Sequence, residues 1–308
     1  MNLATKKSLQ IREITPIESM EIAHFFNSSS FLLNKPFKVK GWQLIGEQPL
    51  AQIFFYINER EAISGFQATF GSFDVSSSLV EQDLTWFVCE LIQALKALKV
   101  KKIKIKGFPV YCKNSKLIHQ VLLSSGFIES TKEINQHILI TNLAFNQVAK
   151  RNEIKKIKQC VKNGFEFSKV SLESLPAIYE LILKTRKRKQ YSTSMTLKEL
   201  SGAIKSNLEN YFLFVVKHNE KMIAASVTVK INSKVLYNFY HADEEDYRSF
   251  SPLVYLVNNI YHYGCENAYK VLDLGISTMS GTLNEGLFTF KKNLGAQPTN
   301  KLIYSLNI

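Results

Sequence analysis

A chain of 308 residues with 45% hydrophobic and 12% aromatic residues, 13 Gly and 7 Pro has enough apolar content to bury one large core or two of ordinary size, which excludes a disordered or fibrous protein. Its 39 Lys and Arg against 26 Asp and Glu leave a net charge of +13, a bias towards anionic partners such as nucleic acid, phosphorylated ligands or an acidic membrane surface. Cys89, Cys112, Cys160 and Cys265 form no CxxC pair, no stretch approaches the roughly 20 apolar residues of a membrane span, and the opening "MNLATKKSLQIREITPIESM" has no apolar run for a signal peptide. A cytoplasmic protein with reduced thiols is expected.

After a short opening strand, the chain order begins with a helix predicted over about residues 16–26. Three strand-like runs follow, "PFKVKGWQLIG", "LAQIFFYIN" and "EAISGFQATF", separated by tight polar turns. Ser78 and Glu81 have the spacing of a capping box, and Leu84, Phe87, Leu91, Leu95 and Leu98 then recur at helical intervals. A short strand "VKKIKIKG", a helix "NSKLIHQVLLSSG" ended by Gly126, and a strand "INQHILIT" complete this half.

The second half repeats the order at an offset of about 170 residues. Helices at about 172–189 and 196–209 precede the strands "YFLFVVKHN", "KMIAASVTVKI" and "KVLYNFYHA". Ser251 at the N-cap and Pro252 at the first helical position announce a helix with Leu253, Leu256, Val257, Ile260 and Tyr261 on one face. "KVLDLGI" is the matching short strand, Asn284–Leu294 the matching helix and "KLIYSL" the last strand. The repetition predicts two copies of one α/β unit, 1–144 and 145–308, the second opening with a basic linking helix that carries Lys150, Arg151, Lys155, Lys156 and Lys158. That run reads first as a solvated face, with a phosphate-facing wall of a cleft as the alternative, and a second basic run, "KTRKRKQYSTS", at the end of the following helix, suits the negative end of a helix dipole.

In "NEGLFTFKKNLGAQP" the helical projection clusters Leu287, Phe290 and Leu294, with Phe288 extending that side and Lys291 in its middle. An ammonium there must either snorkel to water or meet an anion, because a bare buried charge is costly. Lys292, at the edge, is expected to be exposed. His262 and Cys265 are half a metal site at best, with no second pair nearby, and no dinucleotide glycine pattern or phosphate-binding P-loop occurs. Tyr240, His241, Asp243, Arg248 and Ser251 gather where the third strand of the second meander ends and the following helix begins.

This order of elements resembles the GNAT acyltransferase fold. The duplicated arrangement resembles the tandem GNAT units of the Fem-like peptidoglycan aminoacyl transferases and their bacterial relatives. The resemblance rests on "IAASVTVKINSKVLYNFYHADEEDYRSFSPLVYLV", "DLG" at Asp273–Gly275, "NEGLFTFKKNLG" and the linker "RNEIKKI". It implies an α/β fold of two mixed, largely antiparallel sheets flanked by helices, with a degraded or supporting first unit and an N-acyltransferase site in the second. It also implies Lys291, in the place of the Phe-Lys lysine, stabilising charge or holding an anionic substrate. Asp243 is then a candidate base or orienting carboxylate, and Tyr240, Arg248, Ser251 and Arg151 are candidate substrate contacts. The implied donor is acyl-CoA or an aminoacyl-tRNA, and the implied acceptor is a small molecule or peptidoglycan precursor. "RSFSPL" lacks both glycines of the usual GNAT pyrophosphate loop, which departs towards tRNA, whereas the long helical arm of several Fem-like enzymes has no counterpart. The alternative expectation is an inactive GNAT-fold protein that binds RNA or another polyanion.

Overall fold

The computed structural model describes residues 9–21, 24–141, 143–279 and 281–308, and these fall into two compact units, 1–133 with 300–308, and 134–299. The division expected at 144/145 therefore lies elsewhere, and hydrogen bonding gives the reason.

In the first unit the chain runs β1 (Gln10–Ile14), α1 (Ser29–Leu32), β2 (Val39–Ile45), β3 (Pro49–Asn58), β4 (Glu61–Ser64), β5 (Asp74–Val75), α2 (Glu81–Ala97), β6 (Lys102–Lys106), α3 (Ser115–Ser124) and the start of β7 (Ile128–Leu139). Strands β1 to β4 are antiparallel neighbours, β4 pairs in parallel with β6, and β6 is closed by the end of the chain, with Ile303 opposite Lys106 and Asn307 opposite Lys102. Thus "KLIYSL", expected to finish the second unit, completes the first. A strand belongs to the sheet that takes its backbone groups, and sequence periodicity does not say which sheet that is.

Three further expectations change here. The helix over 16–26 is replaced by single turns at Pro16–Glu18 and Phe25–Asn27, and its residues 22 and 23 lie outside the described residues. Side chains of the sheet compete for this segment: Gln52 Oε1 accepts from Met20 N at 2.8 Å, and the Asp74 carboxylate accepts from His24 N at 3.0 Å and Asn27 Nδ2 at 2.8 Å. The Ser78–Glu81 capping box does not form; Val80 occupies the cap and the Ser78 hydroxyl meets Ser76. "EAISGFQATF" is a strand only as far as Ser64. Gly65, at φ +68°, turns the chain back so that Gly71 N donates to Lys106 O at 3.0 Å. A Cβ on Gly71 would lie 2.4 Å from Gly65 Cα, so the turn requires glycine. Phe70 in this turn is fully buried, edge-on to Phe26 and Phe108.

The second unit continues with α4 (Phe145–Val148), α5 (Arg151–Lys162), β8 (Glu166–Val170), α6 (Leu175–Arg188), α7 (Leu197–Lys205), β9 (Tyr211–His218), β10 (Lys221–Asn232), β11 (Val235–Asp243), α8 (Pro252–Glu266), β12 (Val271–Ile276), β13 (Thr278–Met279), β14 (Thr282–Leu283), α9 (Glu285–Asn293) and β15 (Gln297–Asn307), whose start belongs to this unit. Strands β8 to β11 are antiparallel neighbours, β11 pairs in parallel with β12, and Asn135–Leu139 of β7 closes β12. β8, which sequence patterning left inside the linker, is an exposed edge strand alternating weakly in polarity. The predicted apolar face of α8 is real: Leu256, Val257, Ile260 and Tyr261 are buried, with Val254, in one cluster with Phe214, Val216, Ile223 and Leu236 of the sheet. The "INQHILIT" strand serves this unit, again by pairing.

Deleting residues 300–308 should therefore damage the first unit although it removes the end of the chain. Hydrogen exchange is expected to show lost protection at Lys102–Lys106, with β9 and β10 in the second unit keeping theirs.

Candidate functional site

Strands β11 and β12 pair in parallel only from Val235–Val271 to Tyr237–Asp273, and then separate. On the other side of β11 the register with β10 slips by one residue, since Val227 faces Tyr240 while Thr228 faces Asn238. The residue left out is Phe239, a bulge of the kind that re-aims side chains. Tyr237, Phe239 and His241, alternate residues on one face of β11, line a cavity of about 940 Å³ whose lining also includes Leu274, Gly275 and Ile276. Tyr240, expected as a substrate contact, lies on the buried face; its hydroxyl is tied to Ser194 and Arg186 lies 5.2 Å over its ring.

Separation of the strands leaves β12 carbonyls in need of donors. Lys291 supplies them: its Nζ donates to Gly275 O at 2.9 Å and Ile276 O at 2.7 Å. The side chain is 2% exposed, whereas Lys292 is exposed, so the two lysines differ as the helical projection requires. α9 is set by its cap, Asn284, whose Oδ1 accepts from Leu287 N at 2.9 Å while its Nδ2 donates to Tyr191. Leu294 is fully buried and Leu287 and Phe290 half-buried. Gly275, at φ +75°, bends β12 towards Lys291, and its N–H donates to the fully buried Asp273 carboxylate at 2.7 Å, which also accepts from Asn135 Nδ2 at 3.0 Å. Burial pushes the Lys291 ammonium down to about 7, against the pull of Asp273 and with repulsion from Lys189.

Lys156, Arg186, Lys189, Arg248 and Lys291 line the cavity, and Asp243 is the only carboxylate among its lining residues. Asp243 does not stand free. Its carboxylate pairs with Arg188 and with Arg248 Nε at 3.8 Å, its N–H donates to Thr185 Oγ1 at 3.1 Å, and its carbonyl accepts from Thr185 and Arg188. A base in this state is already occupied, and Asp243 orders two guanidinium groups instead. Lys156 is held by the buried Glu153 at 3.0 and 2.9 Å. Arg151, on the same helix, is exposed and lines no part of the cavity. Ser251 lines it, in the left-handed region at φ +58°; its hydroxyl makes no cap bond, and its carbonyl accepts from Val254 N at 2.9 Å. Pro252 has no N–H, so this helix start offers fewer free amides than a glycine-rich loop would. His241 is half-buried, with its imidazole held neutral by burial and then by Lys189, Lys291 and Arg186, down to about 3.

Sequence reasoning did not single out Arg186, Arg188 or Lys189 and reached Lys156 only through the alternative reading of its run as a cleft wall, because inside basic runs a wall cation looks like a solvated one. The signal available was spacing: Arg186 and Lys189 are three residues apart on α6 and its last turn, and so share a face. Among the described residues no group of three His, Cys, Asp or Glu could hold a metal, and no helix is long and apolar enough to cross a membrane.

Residues 149–292 match the acetyltransferase (GNAT) domain family. The second unit has the GNAT fold. The whole chain is a tandem of two GNAT-like units, similar over 97% of its length to 97% of the crystal structure of FemX, at 15% identity and a TM-score of 0.73. A tandem GNAT protein from the clavulanic acid biosynthesis pathway shares 8% identity over 97% of this chain and 98% of its own, with a TM-score of 0.57. The C-terminal domain of a putative lysylphosphatidylglycerol synthetase from Agrobacterium fabrum shares 12% over 84% and 81%, also at 0.57. At these identities the likeness is one of fold. No curated protein sequence matches the chain significantly.

Replacing Lys291 by Met should leave two buried carbonyls without donors and cost about 1–3 kcal/mol, whereas Lys292→Ala should stay within about 0.5 kcal/mol. The pH dependence has a definite sign. With a folded value near 7 and an ordinary value of 10.5, the unfolded chain binds more protons between them, so Lys291 makes stability rise with pH across that window. Denaturant melts from pH 7 to 9 should show this rise in the wild type and its loss in Lys291→Met.

Proposed function

We propose that the second unit transfers an acyl or aminoacyl group to an amine of an anionic acceptor, with the reaction centred in the cavity where β11 leaves β12. The observation that carries this reading is a cavity with five lysine and arginine side chains on its wall and, among its described lining residues, a single carboxylate that arginines already occupy. Such a wall favours a ligand bearing several negative charges. Lys291 is the charge that meets the acyl oxygen as it becomes an oxyanion, being fixed at both its hydrogen bonds before any ligand arrives. Arg248 and Ser251 belong to the donor side, beside the start of α8. Arg151 contributes to the approach of a polyanion from the exposed face of α5, and Tyr240 acts by supporting Arg186.

The donor is an acyl-CoA or an aminoacyl-tRNA. The missing N–H of Pro252 and the bonded N–H of Val254 weaken the backbone cradle that a CoA pyrophosphate uses, which favours the aminoacyl-tRNA. The likeness to FemX supports a cell-wall precursor as acceptor, and a chain of this charge working on nucleotide-linked substrates fits a cytoplasmic location. The first unit supports the second without a reaction of its own: at the corresponding end of β4 and β6 the turn from Gly65 folds back and Phe70 fills the space.

Label transfer tests this. The full chain is incubated with radiolabelled acetyl-CoA or with tRNA charged with a labelled amino acid, each with a nucleotide-linked muramyl pentapeptide. Label should appear in the peptide, faster from the tRNA, and Lys291→Met should lower the rate by about 10²-fold. A protein that transfers from neither donor, yet binds RNA with a salt slope and no saturation at one site, would instead be a polyanion-binding member of the fold.

A further inference from the structure

His241 is not accounted for by acyl transfer as described above. Its imidazole stands on the cavity wall two residues from Asp243, on the strand that the Phe239 bulge has re-aimed. Arg186 and Lys189, from α6 and the turn after it, Lys291 from α9, and Arg248 and Lys156 line the same cavity, and the first three repel a charge on the ring. Tyr237, on its own strand, and Tyr191 are the other titratable groups on the wall. Asp243, the one carboxylate of that wall, is engaged by Arg188 and Arg248. The imidazole thus sits among cations with no acid free to balance it, and those cations are what a ligand anion would neutralise.

We propose that His241 couples anion binding in this cavity to proton uptake: an anionic group docked on Arg186 and Lys189, which line the cavity with the imidazole, draws a proton onto the ring, which becomes a further donor to that anion. The ligand class is a dianionic phosphate or sulfate-like group, whether it comes from the donor or from the acceptor. The coupling rests on the proposed anionic ligand but not on acyl transfer itself. Affinity for the anion then rises as pH falls, because the protonated ring binds it better than the neutral one does. Burial first, and then repulsion by like charges, disfavour the charged imidazole, and a bound anion reverses the second of these. No bond other than that of the transferred proton is made or broken, and the proton comes from solvent.

The test uses the wild-type chain and inorganic sulfate, which stays doubly charged across the whole titration and so contributes no protons of its own. The His241 ring is followed by NMR from pH 3 to 8 in sulfate and in chloride at equal ionic strength, with His241→Gln identifying its signals among the six histidines. In sulfate the midpoint should move up towards the ordinary value of about 6.5. Arg186→Met should raise the midpoint in chloride, by removing one repelling cation, and should shrink the further rise in sulfate. Sulfate that shifts the signals of neighbouring cavity residues while the His241 midpoint stays where chloride leaves it overturns the coupling and leaves the transferase reading standing. Sulfate that does not bind overturns the coupling as well. A midpoint that moves in a protein later found to transfer no acyl group sustains the coupling and removes only the reaction. Donor and acceptor are then told apart by repeating the titration with coenzyme A and with the nucleotide-linked pentapeptide; the source of the anion is the one that moves the midpoint.

Discussion

The separation of β11 from β12 is the constraint on which the second unit depends. Parallel strands that stop pairing after three residues leave backbone carbonyls facing an open space, and a folded protein must either fill that space or satisfy its walls. This chain does one in each unit. In the first, the segment from Gly65 turns back, Gly71 bonds to the end of β6 and Phe70 packs into the gap. In the second, α9 sends Lys291 to the Gly275 and Ile276 carbonyls and the space stays open. The same topology thus gives a packed core in one copy and a cavity in the other.

Holding the cavity open with an ammonium has an electrostatic consequence. A lysine buried at the end of β12 repels other cations, yet the wall adds four more, and the single acid present is spent on Arg188 and Arg248. Left to themselves these charges oppose one another, and they are tolerated because Glu153 takes Lys156, tyrosine rings flank Arg186 and backbone carbonyls take Lys291. What is left over is a field that an anion completes. Burial holds the His241 imidazole neutral, and Lys189, Lys291 and Arg186 press it further the same way.

Much of this was legible in the sequence. The duplicated order of elements fixed two GNAT-like units, and the 3.6-residue projection of "NEGLFTFKKNLG" singled out Lys291 over Lys292, because helical geometry decides which side chain turns inwards. Pairing was not legible: "KLIYSL" and "INQHILIT" look like local last strands, and only their backbone partners reveal that each closes the sheet of the other unit. Nor could patterning see that Asp74 and Gln52 would take the backbone donors of the predicted first helix. Asp243 read as a candidate base or orienting carboxylate with no partner in view, because its arginine partners lie 55 and 5 residues away in sequence, one of them inside a basic run. Tyr240 alternates with Phe239 and His241, and the sequence did not say which of the two faces of β11 is core; burial puts Tyr240 on the core face.

The central claim is that the reacting group sits where the two strands part, against Lys291. A crystal structure of the full chain with a non-hydrolysable donor analogue, prepared with both the CoA thioether and the aminoacyl-adenosine end of tRNA, tests it directly. The account predicts the acyl carbonyl oxygen within hydrogen-bonding distance of Lys291 Nζ, between Phe239 of β11 and Ile276 of β12. Analogue density on the exposed face of α5 or in the first unit, with this cavity empty, would contradict it.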